Sequence, residues 1–383
     1  MKVLDNAAGR FLVGSAVING RKERFDYFYP NPLPRYLSIP DKTAKKIEAA
    51  AVSLGELKGL SNMVHNINLF ISLYKGREAV LSSKIEGTQT SLNDLFLSEA
   101  RNQKTNLIGD LMEVANYKIA LNFGYKKIQE GYDVSSNLIN RMHFFLLRGV
   151  RGWDKRLGGY RKVQNWIGKP DSNIREAEFV PPSPQFVNNS MNSLFSYMRE
   201  KSSIPDLVRI ALMHYQFESI HPYEDGNGRI GRLLIILYLT KLNVLDKPLL
   251  YISPYIESNK ELYYALLTEV RRTGDYISWV DFFLDGVAQT AEDTSKKIKQ
   301  MIGLYDAYKE KLKNSNLTTY EVLDMFFQNP YVSVSKAARI LKKNYPLVSR
   351  SFKRLKDAGI IKEIHRKRNA IYVSSEILRI IRQ

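Results

Sequence analysis

Apolar side chains recur at spacings of three and four through most of the first 312 residues. The periodic stretches run from Asp41 to about Lys75, then over 89–130, 134–149, 185–201, 204–219, 229–243, 259–273 and 276–312. Each presents one apolar stripe that only another helix face can cover, so the chain is expected to be mainly α. Asp41 is placed to cap the first helix, and Gly55 and Gly59 are expected to break it. Two segments escape the pattern. Residues 24–40, rich in aromatics and prolines, are expected as an extended arm on the folded body. Residues 158–184 carry Val163, Trp166 and Ile167, then Phe179 and Val180, around a polar turn, and end in a double proline. That is the pattern of a β-hairpin.

After about Asn314 the texture changes. Three short helices are expected over Tyr320 to Gln328, from a Ser333 cap through Lys342, and from Pro346 to about Asp357. Two strands, Ile360 to Glu363 and Ala370 to Val373, flank the basic turn HRKRN. Three helices followed by a hairpin is a winged helix-turn-helix pattern. The length of 383 residues, at about 150 per domain, leaves room for two or three domains. The boundaries are drawn as an N-terminal arm and helical region 1–100, a helical core 101–312 and a tail 313–383. The net charge of +18 is lopsided, with +11 lying in residues 311–383. Ser349 and Arg350, with Lys353, Arg366, Lys367 and Arg368, are candidate DNA contacts.

The chain has no cysteine. Disulfide scaffolds, zinc-thiolate centres and thiol catalysis are therefore excluded. The apolar stretch around Phe11 to Ile18 lacks a basic flank and a cleavage site, and the longest apolar run, Leu233 to Leu239, is far too short to span a bilayer. A soluble cytoplasmic protein without a membrane partner is expected.

The densest cluster of reactive groups is HPYEDGNGRIGR, residues 221–232. Pro222 discourages helix at His221, so a loop opens there. Gly226, Asn227 and Gly228 tolerate the backbone angles that gather N–H groups into an anion-binding nest. A helix is expected from about Arg229, adding its N-terminal dipole. Arg229 and Arg232, three apart, share a helix face. Asp225 is a hard oxygen ligand suited to Mg²⁺ (or Mn²⁺) shared with phosphates, and His221 is a candidate general base. These parts suit a nucleoside triphosphate beside an acceptor. His214, seven residues earlier, is expected as a hydrogen-bonded core residue, and His65, His143 and His365 have no evident partners.

The run from His221 to Arg232 resembles the Fic-family motif HPFxDGNGRxxR, departing only by Tyr223 for Phe. The likeness extends to EAVLSSKIEGT at 78–88, to GGYR…WIG…FVPPSP, and to YYALL…WVDFFLDGV, covering about residues 25–295. The resemblance implies a Fic-type helical bundle with a β-hairpin flap, to which the winged helix is appended. It implies transfer of AMP from ATP to a Tyr, Thr or Ser hydroxyl of a target protein. His221 then deprotonates the hydroxyl and Asp225 holds the metal. Asn227 and the nest stabilise the transferred group, and the arginines meet the outer phosphates. Gly228, where related kinases of the family carry Lys, favours adenylylation.

Ser82 and Glu86 in SSKIEG resemble the family's inhibitory (S/T)xxxE(G/N) helix, which implies that Glu86 pairs with Arg232 and obstructs ATP. The hairpin 163–180 resembles the flap that receives the target protein. Asn259, Tyr263 and Tyr264 fall where relatives contact the nucleoside. Two rivals use the same residues: metal-dependent removal of AMP from a modified protein, and a DNA-binding transcription regulator whose core senses nucleotide. A homodimer is among the assemblies the sequence allows.

Overall fold

A computed structural model describes residues 6–18, 20–63, 67–101, 109–169, 172–365 and 370–383. It opens on an antiparallel hairpin of β1 (Gly9–Ile18) and β2 (Arg21–Pro30). The helical body follows: α1 (Asp41–Met63), α2 (Asn68–Ile85), α3 (Leu92–Arg101), α4 (Asp110–Gln129), α5 (Ser136–Leu147), α6 (Pro184–Arg199) and α7 (Asp206–Ile220). It continues with α8 (Asn227–Lys241), α9 (Ser253–Ser258), α10 (Lys260–Thr273) and the long α11 (Tyr276–Lys311).

The centre of the body is α7, in which every residue from Leu207 to Ile220 is buried. Its sequence, LVRIALMHYQFESI, carries apolar groups all round, and such a helix must be enclosed by others. The loop 221–226 hands the chain to α8, buried from Asn227 through Leu239 except at Gly228. The candidate motif is therefore mounted on the two most enclosed helices of the body, where packing leaves it little freedom.

Three expectations are corrected. Gly55 and Gly59 do not interrupt α1, which runs through Met63. The helix lies along α11, anchored by Thr43 Oγ1 to Asp281 (2.7 Å) and Lys46 Nζ to Asp285 (2.6 Å). That contact outweighs the cost of about 1 kcal/mol per internal glycine. The arm at 24–40 begins as strand β2, paired residue for residue with β1. Its signal was the alternation of both strands around Asn19-Gly20, and Gly20 takes a left-handed φ of 78°. Finally, 163–180 forms no ladder but a single bridge, Ile167 to Phe179, with a short 3-10 turn at Ile174–Glu176. Part of its hydrogen bonding goes elsewhere: Val180 O accepts from Phe28 N of β2 at 2.9 Å.

The tail forms α12 (Leu317–Gln328), β3 (Tyr331–Ser333), α13 (Val334–Leu341), α14 (Tyr345–Asp357), β4 (Lys362–His365), β5 (Ile371–Val373) and α15 (Ser375–Arg382). The three helices match the sequence expectation; β3 and α15 were not foreseen. The sheet is antiparallel in the order β3-β5-β4. This unit shares one continuous core with the body. Phe327 packs on Phe70 of α2 (5.7 Å between ring centroids), Asn329 Nδ2 donates to Phe96 O (3.1 Å), and Tyr308 OH donates to Glu376 (2.5 Å). Helix α2 is consequently held on one side by the tail and on the other by α8. Among the described residues no helix is long and apolar enough to cross a membrane.

Candidate active site

His221 is the C-cap of α7 and adopts a left-handed backbone (φ 48°, ψ 62°), which turns the chain sharply into the loop. Arg161, 2% exposed, fixes that turn. Its main-chain N–H donates to Pro222 O (2.9 Å), its Nε to His221 O (2.9 Å), and its Nη2 reaches Pro182 O. Burial, then the charges of Arg161 and Arg271, push the His221 pKa down to about 3. The imidazole is thus neutral at ordinary pH, as a proton acceptor must be.

The rest of the loop is held from below. Tyr223 is fully buried, with its hydroxyl on Asn140 Oδ1 (2.8 Å) and its ring stacked on His143 (centroids 3.9 Å apart, planes within 7°). His143 Nδ1 accepts from Gly158 N (3.0 Å), so its Nε2 carries the hydrogen and donates to Asp225 O (3.0 Å). No partner for His143 is evident from sequence; in the structure it supports the loop, and burial pushes its pKa down to about 4.

Asn227 spends its side chain on the loop, accepting from Tyr223 N and donating to Tyr223 O, both at 2.8 Å. Gly226 takes the expected left-handed φ (78°), but Gly228 lies inside α8, which starts at Asn227 rather than Arg229. The anion-seeking groups are therefore the first-turn amides of a helix, which no preceding carbonyl satisfies.

The two arginines diverge. Arg229 turns to Glu113 of α4 (2.8 Å, both side chains buried) and to Asp225 Oδ1 (3.4 Å), whereas Arg232 turns to α2. A spacing of three sets the face, not where a long side chain ends. Arg232 reaches α2: Nε to Ser82 Oγ (2.8 Å), and Nη2 to Ser82 O (2.8 Å) and Glu86 Oε1 (2.7 Å). A Cβ at position 228 would collide with that same Oε1. The Glu86 carboxylate therefore lies over the start of α8. Burial opposes its ionisation, but the Arg232 and Arg229 guanidiniums outweigh this and hold its carboxyl below the ordinary range.

Of the three nucleoside candidates, Tyr263 does not line the site. It is 1% exposed, its hydroxyl lies 3.0 Å from His214 Nε2, and its ring packs on Trp279. Tyr264 is 42% exposed and feels the charges of Glu86 and Arg232; Asn259 caps α10 and donates to Tyr255 O (2.9 Å). His214 is a core residue, its pKa driven down to about 3 by burial and then Arg232. Ser349 is half-buried on α14, with Arg350 and Lys353 exposed beside it. Arg366, Lys367, Arg368 and His65 lie outside the described residues, as does the side chain of His365. Arg161, Glu113 and Asn165, whose Nδ2 donates to Tyr223 O (2.9 Å), were not singled out from sequence. Only Arg161, within GGYR, had any signal.

These buried groups set a pH response. His143, His214 and His221 refuse protons that the unfolded chain accepts below its ordinary value of 6.5, so their contribution to stability is lost as pH falls from there. Burial raises Glu218 to about 7 and raises Glu78 as well. Their contribution is fully present below 4.5 and is lost as pH rises through the folded value. The two sets offset each other between pH 7 and 4.5. Below 4.5 the raised carboxyls no longer offset the histidines, while Glu86 and Asp293, held below their ordinary values, add to the loss, so the decline steepens. Urea unfolding at pH 7, 6, 5 and 4 should show a shallow decline and then a collapse. A collapse complete by pH 6 would contradict this balance.

Comparison with known proteins places this geometry. A Fic/DOC family N-terminal model matches residues 44–126, and a Fic/DOC family model matches 133–239. A probable protein adenylyltransferase of Aquifex aeolicus, aq_aa38, is 23% identical over 192 residues, 50% of this chain and 56% of that protein. Protein adenylyltransferase fic-1 of Caenorhabditis elegans is 28% identical over 160 residues, 41% of this chain and 27% of that protein. The chain therefore spans between about a quarter and just over half of these relatives. In structure it resembles a Fic family protein from Desulfovibrio desulfuricans G20 (TM-score 0.55, 19% identity, 89% of this chain and 98% of that one). It also resembles a Fic domain containing signaling protein from Bacteroides thetaiotaomicron (TM-score 0.51, 18% identity, 66% and 96%). These structural likenesses establish the fold.

Proposed function

We propose that this chain, which belongs to the Fic/DOC family, is a protein adenylyltransferase that moves AMP from ATP onto a hydroxyl of a target protein and is held off by its own Glu86. One observation carries the proposal. A histidine at the left-handed end of α7 stands at the mouth of a loop whose other end is a helix N-terminus, with Asp225 beside it and Arg232 just inside.

In this mechanism His221 takes the proton of the acceptor hydroxyl as its oxygen attacks the α-phosphorus. The bond from that phosphorus to the β-phosphate oxygen breaks, and diphosphate leaves. The first-turn amides of α8 stabilise charge on the transferred group, and Arg232, once free of Glu86, neutralises the outer phosphates. Arg161 and His143 do not touch the reactants; they fix the backbone that carries His221 and Asp225. Among the described residues no cluster of three His, Asp or Glu side chains gathers. Asp225, a hard oxygen donor, is the residue that would hold a divalent metal shared with the nucleotide. Mg²⁺ so held would neutralise phosphate charge.

We read the tail as a winged helix-turn-helix with α14 as its recognition helix. Its basic surface is smaller than its net charge, since Lys343 pairs with Glu321 and Lys356 with Glu363. DNA contact is therefore proposed for Arg350 and Lys353, together with Arg366, Lys367 and Arg368.

The reaction class is tested by supplying ATP labelled on the α- or the γ-phosphate to the Glu86→Gly variant. Label should reach protein from the α-position only. Transfer of γ-label would replace adenylylation with phosphorylation.

A further inference from the structure

Strand β1 contains FLVGSAVI, eight consecutive residues from Phe11 to Ile18 without a charge. The stretch has neither the basic flank nor the cleavage site of a signal peptide, and the catalytic site does not account for it. Its backbone directions follow from one bond. Phe28 N donates to Val180 O, away from β1, so Phe28 and its partner Phe11 form a non-hydrogen-bonded pair. The register is unbroken, so Phe11, Val13, Ser15 and Val17 all turn their N–H and C=O groups outward. Pro30, which has no N–H, falls on an outward position of β2 in the same phase. Among the described residues nothing pairs with the outward groups of 13, 15 and 17. The side chains there are also displayed, Val13 at 52% and Val17 at 74% exposure.

Natural edge strands are blunted with charges, prolines or bulges, and the stretch of β1 from Phe11 to Ile18 has none of these. It forms one wall of an open groove of about 960 Å³ whose opposite wall includes Val163 and Gln164. Glu224, the neighbour of Asp225, is among the residues that line it. Lys155 and Lys162 line it, against the single carboxylate of Glu224. On the exposed hairpin face Lys22 and Arg24 stand opposite Val17 and Ser15.

We propose that the outer edge of β1 is a docking strand for an extended, acidic segment of the target protein, which adds to the hairpin as a third strand and is led along the groove to the catalytic loop. Main-chain pairing supplies the affinity, and the lysines select the charge. A second copy of this chain fits less well, because its β1 carries no acidic residue and its overall charge is strongly positive. This docking rests on the proposed AMP transfer for its purpose but not for its detection.

The test uses the full-length chain, with Glu86→Gly as background, and an eight-residue peptide of Glu, Thr and Val with one Tyr, beside a Lys-for-Glu version. Fluorescence anisotropy without ATP measures docking; labelling with α-labelled ATP measures transfer. Ser15→Pro removes one outward N–H and no ladder bond. It should weaken acidic-peptide binding and raise its KM by about tenfold, leaving self-labelling and the KM for ATP unchanged. Lys155→Glu with Lys162→Glu should abolish the preference for the acidic peptide. Peptide bound at this edge but never labelled would sustain docking while removing AMP transfer. Equal binding by the Ser15→Pro protein, preference for the basic peptide, or a dimer that Ser15→Pro disperses would each overturn the proposal.

Discussion

Replacing Glu86 with glycine should raise ATP-dependent self-labelling by about ten- to a hundredfold. The carboxylate makes a charge-assisted bond to a guanidinium that is 1% exposed. Such bonds are worth about 1.5–3 kcal/mol, the free energy that corresponds to this factor. Its loss acts twice. Arg232 becomes available to phosphates while keeping its two bonds to Ser82, so it does not collapse into a new position. The space above Gly228, which Glu86 Oε1 fills, opens over the first-turn amides of α8. The affinity for ATP should rise with the labelling rate. Glu86→Gln, which keeps the volume and removes the charge, should give an intermediate rise. The fold should persist, because Lys260 Nζ still holds Ile85 O (2.7 Å) and Lys84 still pairs with Glu257 (2.7 Å) at the end of α2. Unchanged labelling with unchanged ATP affinity would remove the inhibitory role. The same variant separates the rival activity. If Glu86 serves to remove AMP, pre-labelled protein should lose its label with the native chain and metal but retain it with Glu86→Gly.

Much of this site was legible because its signals are local. A proline after His221, glycine at 226 and an apolar run from Ile230 set a loop-to-helix junction through backbone geometry alone, and the structure places that junction within two residues. The pairing of residues 82 and 86 with Arg232 needed only helical spacing on α2, plus a motif to connect two distant segments. What escaped was long-range. Nothing near Glu113 announces that it will neutralise Arg229, 116 residues away, and nothing near Arg161 indicates that it will cap α7. Arg229 shows the limit most clearly, since sequence fixes its face of the helix while α4 decides its direction. The β1–β2 hairpin was missed for another reason. Its alternation was weighed only as a possible apolar leader, although Asn19-Gly20 between two alternating runs is a strong hairpin signal. The expected hairpin at 163–180 erred in the opposite sense. Its residues read as strand, but Ile174 and Val180 bury against Phe25 and Tyr27, and that packing takes the backbone away from a ladder.

His221→Ala should lower labelling by about a thousandfold, within the range that a positioned general base contributes, while ATP binding stays within twofold. A loss of this size invites the objection that the loop has come apart. The geometry supplies the control. Arg161 holds the main chain of residues 221 and 222, not the imidazole, so removing the side chain leaves the clamp in place. The backbone at 221 is left-handed (φ 48°), a conformation that costs a residue with a Cβ about 1 kcal/mol and costs glycine almost nothing. His221→Gly should therefore match or exceed the native chain in thermal stability and be as inactive as His221→Ala. Stability and activity would then move in opposite directions at one position. Recovery of activity in the glycine variant would mean that residue 221 matters for the turn it makes; its absence would leave the neutral imidazole as what the reaction requires.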